Sequence, residues 1–219
     1  MTTKNTKGME SGTTRFRLSC SWWSLVFFVV SPRGCENPRM GKTYDGIDER
    51  MATFLRAQHV FFVGTAPGGG DGHVNVSPKG LDTFRILDPT TVAYLDLTGS
   101  GVETIAHLRD NGRITLLFCA FEGPPKIVRL YGRGEVLRPG DADFADLAAQ
   151  FPALPGMRSV IRVRLDRVSD SCGYAVPRYR YAGERDQLID WAERKGDDGI
   201  VDYQQDRNAR SIDGLPGLD

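Results

Sequence analysis

Metal-ligand spacing is missing from this 219-residue chain. Its four cysteines, Cys20, Cys35, Cys119 and Cys172, form no Cys-x-x-Cys pair, and with only His59, His73 and His107 there is no spaced ligand cluster, so no metal is expected. Cys119 lies in the apolar run Ile114 to Phe121 and reads as a small buried hydrophobe, which fits a reducing, cytoplasmic setting. Net charge is missing too. Lys plus Arg and Asp plus Glu stand at 28 each, so no global field draws nucleic acid or an anionic membrane, and neither is expected as a partner. No pair of carboxylates and no Ser-His arrangement at useful spacing is visible, so no catalytic residue is assigned. Internal repeats and coiled-coil heptads are absent, and Gly68-Gly-Gly70 is the whole of the low-complexity content.

The charge balance hides an asymmetry. Residues 1–39 carry six Lys/Arg against two Asp/Glu, leaving 22 against 26 from Met40 onward. This leader holds the apolar run Leu18 to Val30 behind Lys4, Lys7, Arg15 and Arg17, the outline of a signal peptide. The run is too short to span a bilayer, and Ser31-Pro-Arg-Gly-Cys35 offers no small-x-small cleavage site. The favoured division is a leader, 1–39, outside the working protein, and one domain, 40–219, starting at Met40.

Hydrophobic periodicity then organises the domain. Asp45 is expected to cap a helix whose apolar face is Ile47, Met51, Phe54 and Leu55. Val60 to Thr65 and His73 to Ser77 read as strands around the turn-rich loop Ala66 to Gly72. Strands follow at Thr83 to Leu87, Thr91 to Leu97 and Arg113 to Phe121. In Lys126 to Leu137 alternation sends Val128, Leu130 and Val136 to one face and Arg129, Tyr131, Arg133 and Glu135 to the other. Asp141 to Phe151 reads as a helix, Ser159 to Val168 as a strand with Ile161, Val163 and Leu165 inward, and Glu184 to Lys195 as a helix stopped by Gly196. The tail from Ser211 is too rich in Gly and Pro to be regular. Short turns between about six strands, without strand-helix-strand alternation, argue for a mainly β (α+β) antiparallel, barrel-like sheet with peripheral helices.

The stretch between Thr91 and Asn111 carries the main functional signal. A strand runs into Thr98-Gly-Ser-Gly101 and then into a helix from Val102 that stops at Asn111-Gly112. Glycines let the backbone turn sharply, and the free N–H groups of a helix's first turn favour an anion such as phosphate. Ser100 is the expected N-cap. An ordinary capped strand-to-helix turn has the same pattern, so this stretch alone leaves both readings open.

Three stretches together, His73-Val-Asn-Val-Ser-Pro-Lys-Gly-Leu-Asp82, Thr98-Gly-Ser-Gly-Val-Glu-Thr-Ile-Ala-His107 and Ile127-Val-Arg-Leu-Tyr-Gly-Arg-Gly-Glu135, resemble the pyridoxamine 5'-phosphate oxidase-like family of FMN-binding split barrels. The resemblance covers roughly 44–168. It implies a six-stranded antiparallel split β-barrel, a homodimer with FMN between subunits, and an oxidoreductase acting on a small molecule. It places Ser77 and Lys79 near the phosphate or ribityl chain, Ser100 with the Gly99 and Gly101 backbone at the phosphate, and Arg129 on a strand lining the cleft. Two departures stand out. Where the pyridoxamine phosphate oxidases have Ser-Arg-Lys in the turn, this chain has Ser100-Gly101-Val102, and their C-terminal Trp and Arg-Leu signature is replaced by Cys172 to Pro177 and Arg178-Tyr-Arg-Tyr181. The alternatives are therefore a deazaflavin-dependent reductase, or a non-catalytic flavin- or haem-binding stress-related dimer. Tyr174, Tyr179, Tyr181 and Trp191 either wall a flavin ring or bury the C-terminal helix, the second being the preferred expectation. His107 is expected to be a packed or solvated histidine.

Overall fold

The computed structural model describes residues 41–218, so the expectation for the leader lies outside the described residues. The elements are β1 (Thr43–Tyr44), α1 (Glu49–Arg56), β2 (Phe61–Thr65), β3 (Asn75–Lys79), β4 (Phe84–Asp88), β5 (Thr91–Leu97), α2 (Glu103–Asn111), β6 (Arg113–Cys119), β7 (Ile127–Leu137), α3 (Phe144–Ala148), β8 (Met157–Ser171) and α4 (Gln187–Arg207). All strand pairs are antiparallel. The sheet runs β3-β2-β6-β7-β8-β5-β4, with β1 also on β8. The resemblance implies six strands, and seven segments read as strands in the sequence; the structure has eight. Every periodic segment found a place in one sheet, and β1 is too short to show alternation.

Two long strands make the curve. The first half of β8 pairs β5, its far end receives β1, and β7 runs along its other edge. Among the described residues no ladder joins the edge strands β3 and β4, so the sheet closes through side chains. Phe61 of β2 lies 5.6 Å from Phe84 of β4 and 5.7 Å from Tyr94 of β5 between ring centroids, and stacks on Phe118 of β6 at 5.3 Å. These rings, with Leu116, Leu130, Ile161 and Val163, fill the interior that α1 and α2 cover. A second core lies on the other face of β5 and β8, where Phe144 and Leu147 of α3 and Phe151 beyond it pack against Ala93, Leu95 and Val160.

Helix ends correct the sequence reading in three places. Asp48, not Asp45, caps α1: its extended backbone lets Oδ1 accept the Met51 N–H at 2.7 Å. The helix over 141–151 shortens to α3, although Phe144, Leu147 and Phe151 are buried as expected. Gly196 does interrupt the last helix, with φ 66 and ψ 172, but α4 resumes beyond it and runs to Arg207. A Gly that breaks a helix does not prevent a second one from starting. At α2 the Asn111-Gly112 stop holds, with Gly112 in the left-handed region at φ 72. The tail is irregular as expected yet firmly placed, for Leu218 joins the interior core. No helix among the described residues is long and apolar enough to cross a membrane.

Phe61→Ala removes the ring that bridges the open seam and is expected to cost about 3–5 kcal/mol in urea unfolding. Val76→Ala, on the outer face of β3 where Val76 is 64% exposed, is expected to change stability by less than about 0.5 kcal/mol.

Candidate functional site

Asp96 is the one charged residue of strand β5; it shares the interior face with Val92 and Tyr94 and is fully buried. A lone buried carboxylate is costly, so it must be paired. Two cations do this. Lys79, at the end of β3, places Nζ 3.1 Å from Oδ1, and Arg158, at the start of β8, donates from Nε to Oδ2 at 2.8 Å. Ser159 Oγ adds a third donor at 3.2 Å. Burial alone would push the Asp96 carboxyl up, but the Lys79 and Arg158 charges and their hydrogen bonds win, holding it at about 2. Two cations face this one carboxylate. Arg158 is only 4% exposed and Lys79 21%, so the surplus positive charge is poorly solvated and available to an anion.

Arg158 ties this cluster to the glycine turn. Its Nη1 donates to the Gly101 carbonyl at 2.9 Å and to Asn208 Oδ1 at 2.8 Å, while Asn208 Nδ2 donates to the Gly99 carbonyl at 3.0 Å. Gln204 Nε2 holds Thr98 Oγ1 at 2.8 Å. The turn is thus gripped from behind by Arg158 and the C-terminal end of α4. Ser100 is exposed and caps nothing: the N-cap of α2 is Val102, which has no side-chain capping bond. The helix terminus has an anion of its own. The Glu103 carboxylate folds back over Gly101, where any side chain would collide with it, and its Oε1 accepts the Ile212 N–H at 3.3 Å.

A cleft of about 1040 Å³ opens beside the turn. Lys79, Thr98 and Gly99 border it at one part, and at another an irregular strap between β8 and α4 adds Tyr179 and Tyr181. Tyr181 stacks on His59 with centroids 3.6 Å apart and planes 6° from parallel. Its N–H donates to Glu122 Oε1 at 3.1 Å, its hydroxyl to Glu184 Oε1 at 2.9 Å, and Tyr179 N–H reaches the Phe121 carbonyl at 3.2 Å. The preferred expectation that these tyrosines bury the C-terminal helix is corrected: Tyr174, Tyr179 and Tyr181 are 82, 63 and 41% exposed, and two of them wall the cleft. Only Trp191 packs within α4, edge-on to Tyr203.

Of the expected site residues, Lys79 and Gly99 meet at the cleft, and Ser77, Ser100, Gly101 and Arg129 are not among the residues lining it. Ser77 shares the inner face of β3 with Lys79 and donates to Asn75 Oδ1 at 3.1 Å. Asn75 Nδ2 in turn donates to Thr104 Oγ1, and the neighbouring Thr65 Oγ1 lies 3.0 Å from His107 Nδ1. His107 is buried, which pushes its imidazole toward the neutral form, and its Nε2 has no partner. Arg129 stands on β7 and donates to Ser171 Oγ at 3.1 Å. Sequence reading missed Asp96, Arg158 and Asn208. The signal for the first was present, since a single acid inside a largely apolar strand requires a cation. Nothing local points to the other two.

Asp96→Asn leaves buried Arg158 without its counter-charge and is expected to cost about 3–5 kcal/mol in denaturant unfolding at neutral pH. Because the folded carboxyl sits at about 2 against an ordinary 3.8, its stabilisation is present above the unfolded value and lost as pH falls through the folded one. Wild-type stability should therefore drop between those two values, and the slope there should flatten in Asp96→Asn.

A sequence profile described as pyridoxamine 5'-phosphate oxidase matches residues 47–172. The pyridoxamine 5'-phosphate oxidase family protein ustO of Aspergillus flavus is 39% identical over 192 residues, covering 80% of this chain and 77% of that protein. Among solved structures, HupZ of Group A Streptococcus is 25% identical with a TM-score of 0.45, over 56% of this chain and 91% of its own. An FAD-binding protein from Mesorhizobium loti is 18% identical with a TM-score of 0.42, over 60% and 96%. With more than half of its length matched by the profile and a relative this similar over four fifths of it, the chain belongs to the pyridoxamine 5'-phosphate oxidase family.

Proposed function

We propose that the cleft holds FMN and that the protein is a flavin-dependent oxidoreductase of a small molecule, working as a homodimer. The observation that carries this reading is Lys79, which stands with Gly99 on the wall of a 1040 Å³ cleft while its Nζ pairs with buried Asp96, a carboxylate that Arg158 neutralises from behind. That donor set fits a phosphate: Lys79 supplies a point charge, Arg158 reinforces it from within, and the turn adds backbone amides. The aromatic side of the cleft, His59, Phe121, Tyr179 and Tyr181, fits a planar ring. When bound, the flavin supplies hydride transfer at its N5. The chain's own residues bind it, orient it and exclude water, with the strap as the outer cover. Arg129 points elsewhere in its own chain, so a second copy is what would bring it to a cleft.

The departure at Ser100-Gly101-Val102 keeps a deazaflavin in view, and one experiment separates the two. The visible absorbance of the purified protein, followed by the mass of what heat releases, is expected to give FMN. Lys79→Ala is expected to weaken FMN binding roughly 10- to 100-fold, the value of a charge-assisted hydrogen bond, and riboflavin binding by less than about 3-fold. A colourless protein that binds neither added FMN nor deazaflavin would remove the cofactor reading.

A further inference from the structure

Asn208 lies well beyond the matched residues 47–172 and is fully buried. Its backbone N–H donates to the Gln204 carbonyl at 2.8 Å and its carbonyl accepts from Leu218 at 2.8 Å. Its side chain joins two partners of opposite character. Arg158 can only donate and the Gly99 carbonyl can only accept, so Oδ1 must face Arg158 and Nδ2 must face Gly99. Through Arg158 the same residue also bears on the Gly101 carbonyl. Both glycine carbonyls are therefore turned inward. In a trans peptide the N–H points opposite to the C=O, so the N–H groups of Ser100 and Val102 point away from this grip. The amide of exposed Ser100, next to cleft-lining Gly99, is thereby offered to an anion, while the Glu103 carboxylate folds over Gly101.

We propose that Asn208 is a positioning residue for the cofactor's phosphate. It reaches from the C-terminal segment to lock the Gly99–Gly101 turn in its anion-accepting shape, and it orients Arg158 toward Asp96 at the same time. The proposal rests on the flavin reading for its ligand and stands apart from it in its mechanics. The barrel supplies the turn, and a residue outside the family's matched region shapes it.

Two variants of the full chain test it. Asn208→Ala removes both side-chain bonds, and Asn208→Asp keeps an acceptor for Arg158 while losing the donor to Gly99. Both are expected to raise the FMN dissociation constant about tenfold, the worth of a lost hydrogen bond that leaves a carbonyl unpaired, and to change that of riboflavin by less than about threefold. In the ligand-free protein, amide exchange over 98–102 should quicken about tenfold, with α4 unchanged. Ile200→Ala, which opens a gap under α4 without touching the turn, should leave the FMN-to-riboflavin ratio as in wild type. An unchanged ratio in the Asn208 variants, an effect in Asn208→Asp alone, or an equal effect in Ile200→Ala would overturn the proposal. If wild type binds neither flavin, the cofactor reading fails and exchange decides the clamp: quickening confined to 98–102 upholds it, and no quickening overturns it.

Discussion

Burying the Asp96 carboxylate forces distant parts of the chain together. A charge inside a barrel needs near neighbours of opposite sign, and these come from the end of β3 and the start of β8, 17 and 62 residues away. Arg158, drawn inside by Asp96, brings donors that one carboxylate does not use up, and these reach Gly101 and Asn208. From there the order spreads to the glycine turn and the C-terminal segment. The packed barrel, the turn and the tail thus share one polar network. Such a network is stabilising only when its members are satisfied together.

The cleft has two chemical halves with different origins. Its cationic part is built from barrel residues inside the region matched to the family, Lys79 and the turn after β5. Its aromatic cover comes from Tyr179 and Tyr181 on the strap, outside that region. The two halves can accordingly vary separately, because a change in the strap leaves the buried network intact. The strap's attachments are few and polar, so it is also the part of the cleft with the least to resist rearrangement.

What could be read in advance follows the range of the interaction. Alternation depends on neighbours two residues apart, and the inward residues Val128 and Leu130 of β7 and Ile161 and Val163 of β8 were legible on that ground. Gly112 announced the end of α2 through its own backbone freedom. Caps proved harder. Asp45 and Asp48 are equivalent as residue types, and the choice depends on where Ile47 is pulled into the core. Ser100 looked like a cap because the helix was taken to start against the turn, whereas Gly99 and Gly101 are held from behind by residues more than 50 positions away. Family likeness pointed to Lys79, but its partner Asp96 belongs to none of the motifs that carry the likeness, and Arg158 fell just outside the expected strand. The order of elements was legible. The polar network joining them was not.

The place of β8 in the sheet bears on how the chain reaches this state. Strands β2, β3, β6 and β7 can pair with one another before it arrives, and β4 with β5 can form a hairpin, but only β8 joins these two groups. Its pairing with β5 closes a loop of some 60 residues, and with β1 one of more than 120. Loop entropy must be overcome before those contacts form, which places the chain among slowly folding, non-local topologies. Until β8 docks, both groups present unpaired strand edges. Docking of β8 is then the step at which folding competes with aggregation.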